Sequence, residues 1–418
     1  MTPSNERRNS RAPEVIPCEL ELLTERLFPE GIVAGQQILL SGEPGASKST
    51  LLLQALNGFG EAGVGSLYIT AEQKRPEMER RLQAVGSAKG AAQIAIHEAE
   101  SLEALSELIS RPTPLSPYRV VVVDSLQGLD LGPSAQKEWD KLFGLMQFLR
   151  VQNIAAFYIA HVRKDLQIAG PKKLEHEVDA VFNIRRAFAY RLLHVSKNRF
   201  GPSSAEPVVC TVDKLGRLFP AQKSPDVLVA KTMGFSSSGL VEIEAKVEFN
   251  LNTRSRRPAL NGITKPGFQK IVSILRGMGV DIGGFGSQVA CNLPDGRRCG
   301  LEQDVAVALA LLSSYLQLPL RDDPIFCGEL GLDGDLRFVH PAVLQRLVAL
   351  IDRDLISLRR STIVMERDSA MLFKSMLEKT GKGQELVIVR SKSLAGVAQH
   401  FLLHDSPPEV PQELLEGI

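Results

Sequence analysis

No two of the five cysteines stand as Cys-x-x-Cys. Cys18, Cys210, Cys291, Cys299 and Cys327 are scattered over 418 residues, and their number is odd. That speaks against a zinc site or a disulfide framework and points to a reduced, cytoplasmic setting. Neither sign of charge is in surplus: 49 Lys and Arg stand against 48 Asp and Glu, for a formal net charge of +1. A nucleic-acid partner would have to be met by local basic patches. Long apolar runs are missing as well. The longest, from Val305 to Leu318, is interrupted by Ser313 and Ser314 and falls short of the roughly 20 residues a membrane helix needs. No membrane partner is expected. The opening MTPSNERRNSRAPE is charged with no apolar stretch behind it, so it does not read as a secretory leader.

What is present is enough for packed cores: 44% of residues are hydrophobic, and the length suggests two domains. From Gly31 onward short β-rich runs alternate with helical ones. Residues 36–41 (QQILLS), 66–70 (SLYIT), 118–124 (YRVVVVD) and 154–161 (IAAFYIAH) read as strands. Residues 48–59, 75–85 and 139–151 read as helices. This α/β order predicts a mostly parallel central sheet with helices on both faces. Residues 178–185, 190–196 and 206–212 then read as antiparallel strands added to one edge. The stretch 221–240, with Pro225 and the run Ser236-Ser237-Ser238-Gly239, reads as irregular and holds the domain boundary. The expected organisation is a tail at 1–24, a nucleotide-binding domain at 25–222, an α+β domain at 225–405 and a tail at 406–418.

Gly42-Glu43-Pro44-Gly45-Ala46-Ser47-Lys48-Ser49-Thr50 lies between a strand and a helix. It follows the phosphate-loop pattern G-x-x-x-x-G-K-[ST]. In that pattern backbone amides wrap a phosphate, the lysine neutralises its oxygens and the next hydroxyl ligates Mg²⁺. ATP and Mg²⁺ are the implied ligands. Ser47 stands where the pattern has its second glycine, so a Cβ sits where the backbone needs most freedom. Val121-Val122-Val123-Asp124 has the Walker B form, four residues ending on an acid at a strand's C-terminal end, and Asp124 is the second expected Mg²⁺ ligand with Ser49. Glu72, just beyond SLYIT, is the candidate for orienting the attacking water. His161 ends the last of these strands; a structural role is the commoner one for a lone histidine, and a sensor of the terminal phosphate is the functional alternative.

The stretch 194–202 contains KNRFG, Lys197 to Gly201, and 168–179 reads IAGPKKLEHEVD. With GIVAGQQILLSGEPGASKSTLLLQ, VVVVDSLQGL, DVAVALALLSS and IFCGELGLDGDLRFV in the same order, the chain resembles the bacterial RadA (Sms) family over most of its length, from about Glu25 to Phe401. The resemblance implies a RecA-like P-loop ATPase domain followed by a Lon-protease-like domain. It implies a hexameric ring that binds single-stranded and branched DNA, drives branch migration in recombination and repair, and works beside a RecA-type recombinase. Lys197 and Arg199 would then act on a neighbouring subunit's nucleotide or couple it to DNA. Lys164, Lys172 and Lys173, around the Gly170-Pro171 turn, would line a DNA channel, with Arg254, Arg256 and Arg257 as a second basic cluster. The family usually carries a four-cysteine zinc module, which this chain lacks. It also tends to have glycine where Leu166 stands here, so the chain reads as a divergent member.

A Lon-type protease needs a serine and a lysine. The corresponding positions hold Glu302 and Arg346, and an arginine cannot serve as a base. Three readings follow: an ATP-driven DNA motor, a nucleotide-binding DNA scaffold with little turnover (suggested by Ser47), and, weakest, an ATP-dependent protease.

Overall fold

The computed structural model describes residues 14–29, 31–110, 118–129, 131, 136–162, 172–221, 223–224, 228–236, 239–249, 257–292, 300–321, 324–352, 362–381 and 387–402. The chain divides into two compact units, Met1–Arg185 with Arg191–Pro220, and Arg186–Tyr190 with Ala221–Ile418.

In the first unit the strands are β1 (Val15–Ile16), β2 (Ile32–Val33), β3 (Gln37–Gly42), β4 (Ser66–Thr70), β5 (Ile94–Glu98), β6 (Val120–Asp124), β7 (Ala155–His161), β8 (Ala180–Ala187), β9 (Tyr190–Asn198), β10 (Val208–Val212) and β11 (Leu218–Pro220). The helices are α1 (Lys48–Glu61), α2 (Arg75–Val85), α3 (Ala88–Ala91), α4 (Leu102–Ser110), α5 (Gln136–Val151) and α6 (Lys172–Glu177). Nine strands form one sheet in the order β11-β10-β9-β8-β3-β7-β6-β4-β5. Strands β8, β3, β7, β6, β4 and β5 run parallel. Strand β8 was expected as an antiparallel edge addition and is instead parallel to β3. The chain leaves the top of β7 and returns through α6 to the same end as the other parallel strands, as a crossover does. Strands β10 and β11 are antiparallel additions.

The apolar runs of the central strands follow from burial on two faces. Val120 and Val122 pack with Ile38, Leu40, Phe157 and the α1 residues Leu52, Leu56 and Phe59. Val121 and Val123 pack on the opposite face with Leu39, Tyr158 and the α5 residues Leu142, Leu145, Met146 and Leu149. Each fully buried aliphatic side chain stabilises the fold by about 1.5–3 kcal/mol relative to exposure. A charge substituted at any one of 120–123 would therefore damage the core on its own face.

Residues 14–24 belong to the folded unit where a tail was expected. Strand β1 pairs with β2, and Ile16, Leu22 and Leu23 are buried in the α1-side core.

The second unit has strands β12 (Val229–Ser236), β13 (Gly239–Glu248), β14 (Ala259–Asn261), β15 (Gly286–Asn292), β16 (Ile325–Phe326), β17 (Thr362–Met365) and β18 (Val387–Arg390). Its helices are α7 (Lys265–Gly277), α8 (Asp304–Leu316), α9 (Pro341–Asp352), α10 (Arg367–Glu378) and α11 (Leu394–Phe401). They form a mixed seven-stranded sheet, β14-β15-β13-β12-β16-β17-β18. Much of the stretch read as irregular is the β12–β13 pair, eight residues in antiparallel register; Pro225, Ser237 and Ser238 lie outside the described residues. Helix α8 is buried along its whole length, which explains its all-round apolar sequence. Among the described residues no helix is long and apolar enough to cross a membrane.

Candidate functional site

The parallel strands deliver their C-terminal ends to one edge of the first unit. Gly42 is in register with His161 on the neighbouring β7, and Thr70 with Asp124. The phosphate loop leaves β3 at Gly42, where a Cβ would stand 2.4 Å from the Ile184 carbonyl oxygen, so only glycine fits. Gly45 and Ser47 both take left-handed backbone, each with φ of 73°. Ser47 thus holds, with a side chain, the conformation that favours glycine, at a cost of roughly 1 kcal/mol.

Ser47 is the N-cap of α1 and makes no side-chain cap. The first-turn amides of α1, which have no intrahelical acceptors, face the loop with the positive end of the helix dipole. Lys48 is buried, and its Nζ donates to the carbonyl oxygens of Gly42 and Glu43 at 2.9 Å each. Burial pushes its pKa below the ordinary lysine value, while the charges of Asp124, Glu72 and Glu43 pull it back up.

Asp124 is 7% exposed. Burial drives its carboxyl above the usual range, opposed by hydrogen bonds from the Ser49 and Tyr68 hydroxyls and by the Lys48 charge, and reinforced by Glu72. Tyr68 is fully buried and donates to Asp124 Oδ2; burial and the Asp124 charge hold its phenol well above the usual range. The Asp124–Ser125 peptide is cis. The Ser125 hydroxyl donates to Glu72 Oε1, the His161 ring Nε2 lies 3.1 Å from the same oxygen, and the His161 N–H donates to Gln127 Oε1 at 3.0 Å.

Lys48, Ser49, Asp124, Glu72 and His161 therefore lie on one edge, as read from the sequence. The set suits a triphosphate with Mg²⁺. A desolvated carboxylate touches the loop's hydroxyl and, among the described residues, has neutral direct donors, while the Lys48 ammonium and a helix N-terminus stand beside it. Tyr68 and Gln127 were not anticipated. The signal for Tyr68 is its place two residues before the end of β4, diagonal to Asp124 in the β4–β6 register.

Lys197 and Arg199 are not brought to this edge. Arg199 N–H donates to the Asp179 carbonyl at 3.0 Å, and Asp179 N–H to the Gln37 carbonyl at 2.7 Å. That places the pair at the foot of β3, roughly 17 Å from the loop at about 3.3 Å per strand residue. Lys197 Nζ donates to the carbonyls of Glu175, His176 and Val178 at 2.9, 3.2 and 2.6 Å. Lys172 and Lys173 are exposed on α6, and Arg257 is exposed in the second unit. Lys164, Arg254 and Arg256 lie outside the described residues. Glu302 precedes α8 with one carboxylate oxygen buried and without a hydrogen-bond partner among the described residues, and Arg346 is exposed on α9.

The family model described as "ATPase: KaiC" matches residues 20–216. The DNA repair protein RadA of Listeria monocytogenes is 32% identical over 356 residues, 78% of this chain and 75% of the relative. That of Brucella abortus is 32% identical over 356 residues, 80% and 75% of the two chains. A solved KaiC-like protein from Pyrococcus horikoshii is 19% identical, with a TM-score of 0.43, over 50% of this chain and 100% of its own. The first unit is a RecA-like P-loop ATPase domain, and the chain belongs to the family of the DNA repair protein RadA.

Proposed function

We propose that this chain is an ATP-dependent DNA motor of homologous recombination and repair, acting on single-stranded and branched DNA as a ring of identical subunits in the cytoplasm. The observation that carries this reading is the meeting of Lys48, Ser49 and the buried Asp124 at the C-terminal edge of a parallel sheet. The name printed for its relatives, DNA repair protein, supplies the context.

In this reading the α1 amides and Lys48 bind the phosphate oxygens of ATP, with Gly45 and Ser47 curving the loop around them. Ser49 and Asp124 hold Mg²⁺, which when bound neutralises charge on the phosphate oxygens. Glu72, kept in place by Ser125 and His161, orients the attacking water and takes its proton. Arg199 acts on the nucleotide of the adjacent subunit, because its own loop lies at the other end of the strands. Lys172, Lys173 and Arg257, with Lys164, Arg254 and Arg256, bind DNA phosphates. A RecA-type recombinase is the proposed partner, and the second unit is a Lon-like scaffold without proteolysis.

ATP turnover with and without single-stranded DNA is the test. Turnover that rises with DNA and is lost in Lys48→Ala is expected; no turnover under either condition would remove the motor. The left-handed backbone at Ser47 favours one second reading, a nucleotide-dependent DNA scaffold. Near-zero turnover that Ser47→Gly restores would select it.

A further inference from the structure

At the end of the sheet away from the phosphate loop, one carboxylate gathers three chain segments. Asp179, between α6 and β8, is 4% exposed. Its Oδ2 accepts the Gln37 N–H at 3.0 Å and Nη2 of Arg150 at 3.0 Å, and its Oδ1 accepts Nη1 of Arg199 at 3.1 Å. Arg150 Nη2 also reaches the Glu177 carbonyl at 3.1 Å. The foot of β3, the last turn of α5 and the chain leaving β9 are thus tied to a single side chain.

The two basic residues of the KNRFG run stand differently in this corner. An ammonium has three N–H donors, and Lys197 has three carbonyl acceptors, so it braces the end of α6. A guanidinium has five, and the Arg199 side chain gives one to the Asp179 carboxylate while remaining 54% exposed. Fixing one nitrogen of a planar fork on a buried oxygen fixes the plane of the rest.

We propose that Asp179 is a positioning residue: it holds Arg199 so that the guanidinium's remaining donors meet a phosphate group bound by a second copy of this chain. The proposal rests on the reading above, in which Lys48 binds ATP and Arg199 acts in trans. Asp179 also anchors Gln37 at the root of the phosphate-loop strand. A merely structural role would therefore disturb the chain's own nucleotide affinity, whereas a positioning role shows in turnover.

The test uses the full chain and measures affinity for a fluorescent ATP analogue and DNA-stimulated turnover, for single variants and for mixtures. Asp179→Asn is expected to keep its nucleotide affinity and to lose about a hundredfold in turnover, approaching Arg199→Ala. Asp179→Glu keeps the charge but displaces it by one methylene, so it falls between Asp179→Asn and the unaltered chain; it carries the comparison if Asp179→Asn does not fold. Lys48→Ala chains keep Asp179 and Arg199. Mixed with Asp179→Asn chains, they create interfaces joining an intact loop to a positioned arginine, and the mixture turns over faster than either variant alone. Affinity falling in step with turnover, or no gain on mixing, makes Asp179 a structural prop and overturns the proposal. Undiminished turnover in Arg199→Ala would instead remove the in-trans reading beneath it.

Discussion

The two ends of the parallel sheet each bury one aspartate, and the two are treated in opposite ways. Asp124 is 7% exposed and Asp179 is 4% exposed. The direct donors to Asp124 are the Tyr68 and Ser49 hydroxyls, both neutral, while the neighbouring ammonium of Lys48 donates to loop carbonyls. Asp179 meets two guanidinium groups and a backbone amide. Burying a carboxylate is unfavourable unless opposite charge compensates it. At Asp179 the chain supplies that charge, and the result is a brace. At Asp124 compensation is incomplete and the carboxyl is driven upward. Burial alone does not distinguish the two aspartates; the charge of their direct donors does.

The largest expected effects fall at the loop end. Lys48→Ala should lower ATP turnover by about two to three orders of magnitude, by analogy with removal of one strong donor to developing charge. It should also abolish the rise in melting temperature that ATP with Mg²⁺ produces. Substituting asparagine at each aspartate then tests the contrast by sign. The Asp124 pKa is raised in the folded chain, so the folded state binds that proton better than the unfolded state does. The stability contributed by this group is full below the ordinary value of 3.8 and is lost as pH rises through the folded value. In the absence of nucleotide, Asp124→Asn should therefore melt above the unaltered chain at neutral pH, the gap closing toward pH 4; with ATP and Mg²⁺ the order reverses. Asp179→Asn has the opposite sign. It leaves Arg150 and Arg199 short of a counter-charge and should cost about 1–2 kcal/mol, discounted because both side chains reach solvent. Two shifts of the same sign in thermal unfolding would break the comparison.

Much of the loop end was legible in the sequence because its signals are local. Lys48 and Ser49 adjoin the glycines that curve their own loop, and Asp124 ends a run of four valines whose burial on both faces gives a parallel strand away. The other end was not legible. The link from Asp179 to Gln37 spans 142 positions, and that from Tyr68 to Asp124 spans 56. Both follow from strand order and register, which neither periodicity nor propensity encodes. Lys197 and Arg199 were noticed through family likeness, yet nothing in KNRFG distinguishes the saturated ammonium from the outward guanidinium. Strand β5 and helix α4 are short and only three residues apart, and Pro225 and the serines near β12 read as loop. Residues 1 to about 15 read as polar and the expected tail runs on to 24, but Ile16, Leu22 and Leu23 give the latter part three anchors in the α1-side core.

Smaller effects refine the picture at the loop and beside the brace. Ser47→Gly removes a Cβ from left-handed backbone and adds chain entropy to the unfolded state. The two partly cancel, so stability should rise by no more than about 1 kcal/mol. Any change in turnover then reports how Ser47 shapes the loop, because stability hardly moves.

The smallest effect is expected at Lys173, on the helix whose far end Lys197 holds. Its Nζ lies 4.5 Å from the centre of the Phe143 ring and 3.9 Å from Asp140, with the side chain 54% exposed. Contacts of that kind are worth at most about 1 kcal/mol, so Lys173→Ala should leave the fold intact. If Lys173 meets a DNA phosphate, its loss weakens binding to all sequences alike and reduces the slope of log affinity against log salt by about 1. A slope that stays the same while affinity falls would mean that Lys173 acts by steadying α6 against Phe143, with the phosphate contacts made elsewhere. The salt series thus separates a lysine that touches DNA from one that holds the helix in place, which a single affinity cannot do.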